Sequence, residues 1–397
     1  MAKIVGRTNV LETSNFVPSI FILAFLSVGF IPNLEAVDKI APQWLFLSFL
    51  NLLCGLYLFY FRNNYEQRFY LVIKNIAALF YTAFVVWGAL SYFYAVNPTE
   101  VLVNTVRHFN TLFMFFHLAI FLYNIKDKNN LISLAITLIL AIEVYALLDQ
   151  ALEMYKTGVI QPGALKGLTA NRNITAFSIA IKLPYVVYLA LRTKKLGFKL
   201  LNIALIFLSF LSLSMIQSRA SFIAVGFMGI ALLLWTLFQF KIEKSIKSLV
   251  PNIFYLVPLL FALIFNQIFI SDKGADALSR ASTISLSTND GSVNQRLRYY
   301  ADVASHVVSN PIKGVGLGNW KLLSIDYDKD NIKGYVVPYH AHSDFIQLGA
   351  ELGIIGFLLY LGVFIFTIYF GFIILLRSDL EKDTKLFVFL LMISLGV

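Results

Sequence analysis

The sequence predicts an all-α protein: a polytopic integral-membrane helical bundle of about eleven spans, with one long loop that itself contains helices. Composition is the first reason. Of 397 residues, 58% are hydrophobic and only 14% charged, whereas a soluble domain of this size carries roughly 25% charged residues. The second is length: apolar runs of about 20 residues, each able to cross a ~30 Å hydrocarbon core, recur along the chain. The third is an alternation of basic residues from one connecting loop to the next.

The apolar runs fall near 16–32, 42–61, 71–94, 101–123, 131–152, 174–191, 200–217, 221–240, 249–270 and 353–376. Another begins near Leu386 and is too short to cross before Val397, so it is expected to be an eleventh span cut short, with the C-terminal part missing. The first run has no small-residue cleavage site and is followed by many others, which reads as a retained anchor rather than a signal peptide. No repeat or second soluble domain interrupts the pattern. Residues 1–397 are expected to form one membrane domain, with 271–341 as a long loop.

Orientation follows from the short loops, where Lys and Arg favour the cytoplasmic side. With the N-terminus inside, that side receives Lys3, Arg7, Arg62, Arg68 and the clusters Arg192–Lys199 and Lys241–Lys247, while the opposite short loops hold only Lys39, Lys156, Lys166, Arg172 and Arg219. The net charge of +10 therefore records topology, and nucleic acid is not an expected partner. The long loop is expected to face the periplasm. The single cysteine, Cys54, lies in the second run, so no intramolecular disulfide is available to the loop.

Ionisable residues inside a membrane are costly and usually face a bundle interior or a wet cavity. Arg107, His108, His117, Glu143, Asp149 and Lys182 are of this kind. They fit structural or interfacial roles, with Arg107 near enough to a span end to snorkel; Glu143, Asp149 and Lys182 could alternatively line a transport path. Arg219 stands in the tight turn "QSRAS". It fits an interfacial anchor equally well as a guanidinium whose five fixed donors await a phosphate.

Within the long loop, Val293, Leu297, Tyr300, Ala304 and Val308 recur at helical spacing, and Pro311 ends the helix. Arg296 and Arg298 lie two positions apart, so at most one is expected to point into a given site. The preceding stretch, 271–292, is small and polar and reads as mobile loop. "GVGLGNW" (Gly314–Trp320) has Asn319 where a dinucleotide fingerprint needs glycine and has no βαβ context; its glycines instead suit a tight backbone path. "DYDKDN" (Asp326–Asn331) lacks the glycine of a calcium loop and places Val337 where the bidentate Glu should be, so a solvated turn is expected.

The segment "YHAHSDFIQLGAELGIIG" leads into the last complete span. Ser343 suits a helix N-cap, and Asp344 the favourable first turn. Asp344, Gln347 and Glu351 then share one face. His340 and His342 fit either interfacial anchors or acid/base groups; a metal site would need further ligands, and no such cluster is evident nearby.

Four segments together resemble the O-antigen ligase and O-antigen polymerase superfamily. They are "GLTANRNITA" (167–176), "SLSMIQSRASFIAVG" (212–226), "QRLRYYADVASHVVSNPIKGVGLGNW" (295–320) and "HSDFIQLGAELGIIG" (342–356). In the last, His342-Ser343, nine residues, Gly353, two residues and Gly356 match the ligase-type motif position for position, although Ser343 stands where Asn is common. The resemblance covers roughly 167–376; the first 150 residues show only generic spans.

The resemblance implies a GT-C-like membrane glycosyltransferase that moves a glycan from undecaprenyl diphosphate to an acceptor hydroxyl, lipid A–core in the ligases, at the periplasmic face of the inner membrane. It carries over His342 as general base and Arg219 and Arg296 as catalytic arginines, with Asn173, Arg298 and His340 as substrate-binding candidates. It implies inversion at the anomeric carbon, no cofactor and no metal. The same residues would suit a polymerase or a protein O-oligosaccharyltransferase. A transporter of lipid-linked glycans is the reading from another class, and it would show repeated halves, which are absent from the sequence.

Overall fold

The computed structural model describes residues 15–32, 34–169, 171–284, 291–332 and 338–396. Lys3, Arg7, Val337 and the polar run 285–290 lie outside them. The described residues are all-helical: 81% of them are helix and none is in a strand. In chain order the helices are α1 (Phe16–Leu26), α2 (Ala41–Tyr60), α3 (Arg62–Ile73), α4 (Ile76–Leu90), α5 (Pro98–Asn124), α6 (Lys128–Lys156), α7 (Arg172–Arg192) and α8 (Leu196–Ile216). They continue as α9 (Arg219–Glu243), α10 (Val250–Phe269), α11 (Ala277–Ser282), α12 (Gly291–Ser309), α13 (Trp320–Asp328), α14 (Asp344–Leu376) and α15 (Lys382–Gly396). Among the described residues, nine helical spans are long and apolar enough to cross a membrane, and all nine coincide with expected runs.

The expected first span is the exception. Its helix is 11 residues long, against the ~20 needed to cross. Ser27 Oγ bonds back to the carbonyl of Ala24 (2.9 Å), Gly29 follows, and Ile31 turns to extended geometry because the next residue, Pro32, disfavours helix before it. Helix starts are marked by local chemistry elsewhere. Asn75, Asn97 and Asn171 each accept a bond from the backbone two residues on, at 2.9, 3.0 and 2.8 Å, satisfying donors that a helix start leaves open.

The chain divides into two compact units. One comprises residues 1–126 and 286–370. Here α5 is central, packing against α1, α2, α3 and α4. His117 Nδ1 lies 3.1 Å from Asn51 Oδ1, and Asn51 also bonds to the carbonyl of Asn110 (2.9 Å), so this histidine is a buried tie between helices. Phe84, Val101 and Leu112 form a core with Leu317, Leu348 and Leu352, which attaches the 314–319 loop and the start of α14 to α4 and α5.

The other unit comprises residues 127–285 and 371–397. Its core surrounds α7, whose Ala176, Ile179, Ala180 and Leu183 are fully enclosed by α6, α8 and α15. Lys182 and Glu143 form an ion pair at 2.8 Å, with Ser178 bonded to both. That is the paired arrangement expected of charges at membrane depth.

Two loop expectations need correction. The stretch 271–292 is not loop throughout: Ser271–Lys273 is a 3-10 turn and Ala277–Ser282 a helix. The cause is Asn266, a buried amide in α10 that donates to Ala275 O (2.9 Å) and accepts from Ala277 N (3.0 Å). Nor is Asp326–Asn331 a solvated turn. It is the end of α13 followed by a 3-10 turn, and Asp328 is buried against Arg298. Helix α12 occupies Gly291–Ser309, as the apolar stripe predicts.

Candidate active site

The site in the first unit is built from α12, α13, the 314–319 loop and the entry to α14. On α12 the two arginines do diverge. Arg298 Nε sits 2.6 Å from Asp328 Oδ1, and its Nη2 donates to Oδ2 at 3.1 Å, which commits it to holding α12 on α13. Arg296 is exposed, and its charge acts on His342. Next to Arg298 in the chain, Tyr299, 5% exposed, stacks its ring on the His342 imidazole, centroids 5.8 Å apart and planes at 13°.

His342 has a left-handed backbone (φ +58), uncommon for a residue with a side chain and enriched at functional sites. Helix α14 begins two residues later, where Gln347 N donates to Ser343 O (2.9 Å). Gln347 Oε1 accepts from Ala341 N (3.2 Å), tying the 340–342 corner to the first turn. Partial burial, then the positive charge of Arg296 and the proximity of His340, hold the His342 imidazole below the usual histidine range. It is therefore neutral, and able to accept a proton, at neutral pH.

Helix α14 is broken at Gly353 (φ +67, ψ −171). The break frees Ile354 N to donate to Pro311 O (2.8 Å), and it separates the polar start of α14 from its long apolar part. The 314–319 loop packs against that start. Val315 N and Gly316 N donate to the carbonyls of Ala350 (3.0 Å) and Glu351 (2.8 Å), Leu317 N to Ser91 Oγ (3.0 Å), and Gly318 N to the Glu351 carboxylate (2.7 Å). A Cβ on Gly314 would stand 2.4 Å from Ala350 O, so the tight path expected of these glycines is what the backbone adopts.

Arg219 and Asn173 belong to the second unit. Gln217, in left-handed geometry, ends α8, and α9 starts at Arg219, so the "QSRAS" turn is as tight as the sequence implies. Helix α11 buttresses it: Arg280 Nε donates to Gln217 O (3.3 Å), and Gln217 Nε2 to Asp276 O (2.7 Å). Arg219 Nε reaches Thr283 Oγ1 (3.3 Å). Asn173 is exposed in the first turn of α7.

The structure thus brings Arg296, Arg298, His340 and His342 into one unit, with Arg298 tied up structurally. It adds Glu351, Lys321 and Glu100, which sequence reasoning did not select. Lys321 Nζ pairs with Glu100 at 2.7 Å across more than 200 residues of chain, a relation no local pattern carries. Glu351 did carry a signal, its shared face with Asp344 and Gln347; Gln347 Nε2 donates to it at 2.9 Å. Among the described residues no three His, Cys, Asp or Glu side chains gather as a metal site would require.

Residues 204–361, the segment holding Arg219, Arg296 and His342, match the family model described as O-Antigen ligase. A protein of Rickettsia conorii with the provisional name polysaccharide ligase is 27% identical over 289 residues, 70% of this chain and 64% of that protein. A Rickettsia prowazekii protein with the same provisional name is 27% identical over 313 residues, 76% of this chain and 70% of that protein. This chain thus spans about two thirds of the length of these relatives. Residues 204–361 are thus similar to the O-antigen ligase family, and the chain as a whole to these relatives.

Proposed function

We propose that the protein is a glycosyltransferase that moves a glycan from undecaprenyl diphosphate to an acceptor hydroxyl, lipid A–core in the ligase case. The observation that carries this reading is His342, left-handed, stacked on Tyr299 and kept neutral beside Arg296, at the first position of the ligase-type motif. As the acceptor hydroxyl attacks the anomeric carbon, its proton passes to the imidazole. Attack opposite the departing diphosphate inverts that carbon. Negative charge grows on the leaving group, and Arg219 and Arg296 supply charge-assisted hydrogen bonds to it. Because two guanidiniums suffice for that charge, the reading requires no metal ion.

The chemistry is assigned to the periplasmic side of the inner membrane, with the N-terminus cytoplasmic and the chain acting as one membrane domain; the alternation of basic loops supports this orientation. His342→Ala tests the reading. Glycan transfer in a deletion strain should fall by about 10²–10⁴-fold, the usual contribution of a general base, with the protein level in the membrane unchanged. Transfer at the parental rate would remove His342 from the reaction. If the complemented strain changes only the length of a glycan chain, the acceptor is another glycan repeat and the enzyme is a polymerase.

A further inference from the structure

A cavity of about 310 Å³ lies beside the candidate base, lined by Asn104, Arg107, Lys321, His340, Glu351 and Tyr360 among others. Of these, only His340 was named above as a substrate-binding candidate. Its volume sits at the low end of small-molecule sites, ~300–1,000 Å³, and His340 connects it to the corner that carries His342.

The charge of its wall decides what it can hold. Lys321 is paired with Glu100, and Arg107 with Asp38, each at 2.7 Å, so both cations already have carboxylate partners. Asp344 adds a further carboxylate to the same wall, and Glu351 a buried carboxyl group. A diphosphate placed here would face this acidic wall without a surplus cation, which is unfavourable. A neutral polyhydroxyl compound meets the opposite situation. Glu351, only 3% exposed, is held by Gly318 N–H and the Gln347 amide, and a carboxyl group, protonated or not, keeps capacity to hydrogen-bond a hydroxyl. Asn104 and Lys321 offer donors. Tyr360, Leu317 and Leu348 form an apolar side against which the C–H face of a sugar ring can lie, as aromatic and aliphatic walls do for ligands generally.

We infer that this cavity is a subsite for a neutral sugar residue, set apart from the place where the diphosphate is bound. The inference rests on the reading that the protein handles a glycan, but it is tested without turnover. The full chain in nanodiscs is examined by saturation-transfer NMR, with neutral and N-acetylated hexose disaccharides as probes and inorganic pyrophosphate as competitor. Saturation should reach the sugar protons and should not be displaced by pyrophosphate. It should fall at least about fivefold in Glu351→Gln and in Asn104→Trp, because a carboxyl hydrogen-bond partner is lost or the space is filled. The milder Lys321→Met, at a partly exposed position, should weaken the signal in a protein whose thermal midpoint matches the parent. His342→Ala should keep it.

Three results would each overturn the inference: no saturation transfer to any disaccharide, an equal signal in all three cavity variants, or displacement by pyrophosphate. A chain that transfers glycan while its cavity variants bind sugar normally loses the subsite alone. Sugar bound in the cavity of a chain that transfers nothing keeps the subsite and removes the glycosyltransferase reading.

Discussion

Replacing Gly353 by alanine asks whether the break in α14 is what holds the polar start of that helix against the 311–318 segment. Gly353 lies at φ +67 and ψ −171, a combination essentially reserved for glycine. A Cβ there would stand 2.3 Å from Ile312 O and 2.8 Å from Pro311 O, where ordinary contact begins at 3.4 Å. Both obstacles are backbone atoms, so no side chain can swing aside, and the strand of chain must retreat by about 1 Å. That movement works against the Ile354 N–Pro311 O bond. Conformational strain of ~1–3 kcal/mol and a lost hydrogen bond of ~0.5–1.5 kcal/mol lead us to expect a loss of roughly 2–4 kcal/mol. The assay is thermal unfolding in one detergent, beside Gly163→Ala as control. A Cβ on Gly163 meets nothing within 4 Å, so the control should stay within about 0.5 kcal/mol of the parent. Equal unfolding midpoints for the two variants would refute the reasoning.

Other outcomes follow from the same geometry. The acidic limb of the pH–rate profile should titrate below the usual ~6.5 of histidine, with activity lost as pH falls through that point and His342 takes up a proton. Arg296→Gln removes a positive neighbour, so the inflection should move upward; an unmoved inflection would show that another group titrates. Arg298→Ala strands the buried Asp328 carboxylate, and because the arginine is itself partly exposed the expected cost is about 1–3 kcal/mol in thermal stability. In the second unit, Lys182→Met or Glu143→Gln alone should destabilise strongly and the double variant much less, the pattern of a buried ion pair. Additive losses, or a proton flux that depends on the pair, would instead favour a transport path.

Most of the fold was legible from hydropathy because each span is a local property: about 20 apolar residues declare themselves without their neighbours. Helix α12 was legible for the same reason, its stripe repeating within 18 residues. What escaped was set by partners distant in sequence. The polar stretch before it contains α11 because Asn266, a single amide at the end of α10, bridges Ala275 and Ala277. Asp328 looked solvated because Arg298, 30 residues earlier, is invisible to a turn pattern. In the site, the motif spacing drew attention to His342, and the two-residue offset on α12 foresaw that Arg296 and Arg298 would part. Glu351 was visible only as one edge of a polar face; its role as acceptor for the glycine loop needed the third dimension.

The ties between the 314–319 loop and the early helices carry a consequence for biogenesis. Asn97 N–H is bonded to the side chain of Asn319, 222 residues later, and Ser91 Oγ receives the N–H of Leu317. At a synthesis rate of roughly 5–20 residues per second, α4 and α5 wait on the order of ten to forty seconds in the bilayer before those partners emerge from the ribosome. During that interval the adjoining ends of α4 and α5 are finished with water or lipid headgroups instead. The corner that holds His342 is thus among the last parts of this unit to set, and a nascent chain stalled before Asn319 carries inserted helices without it.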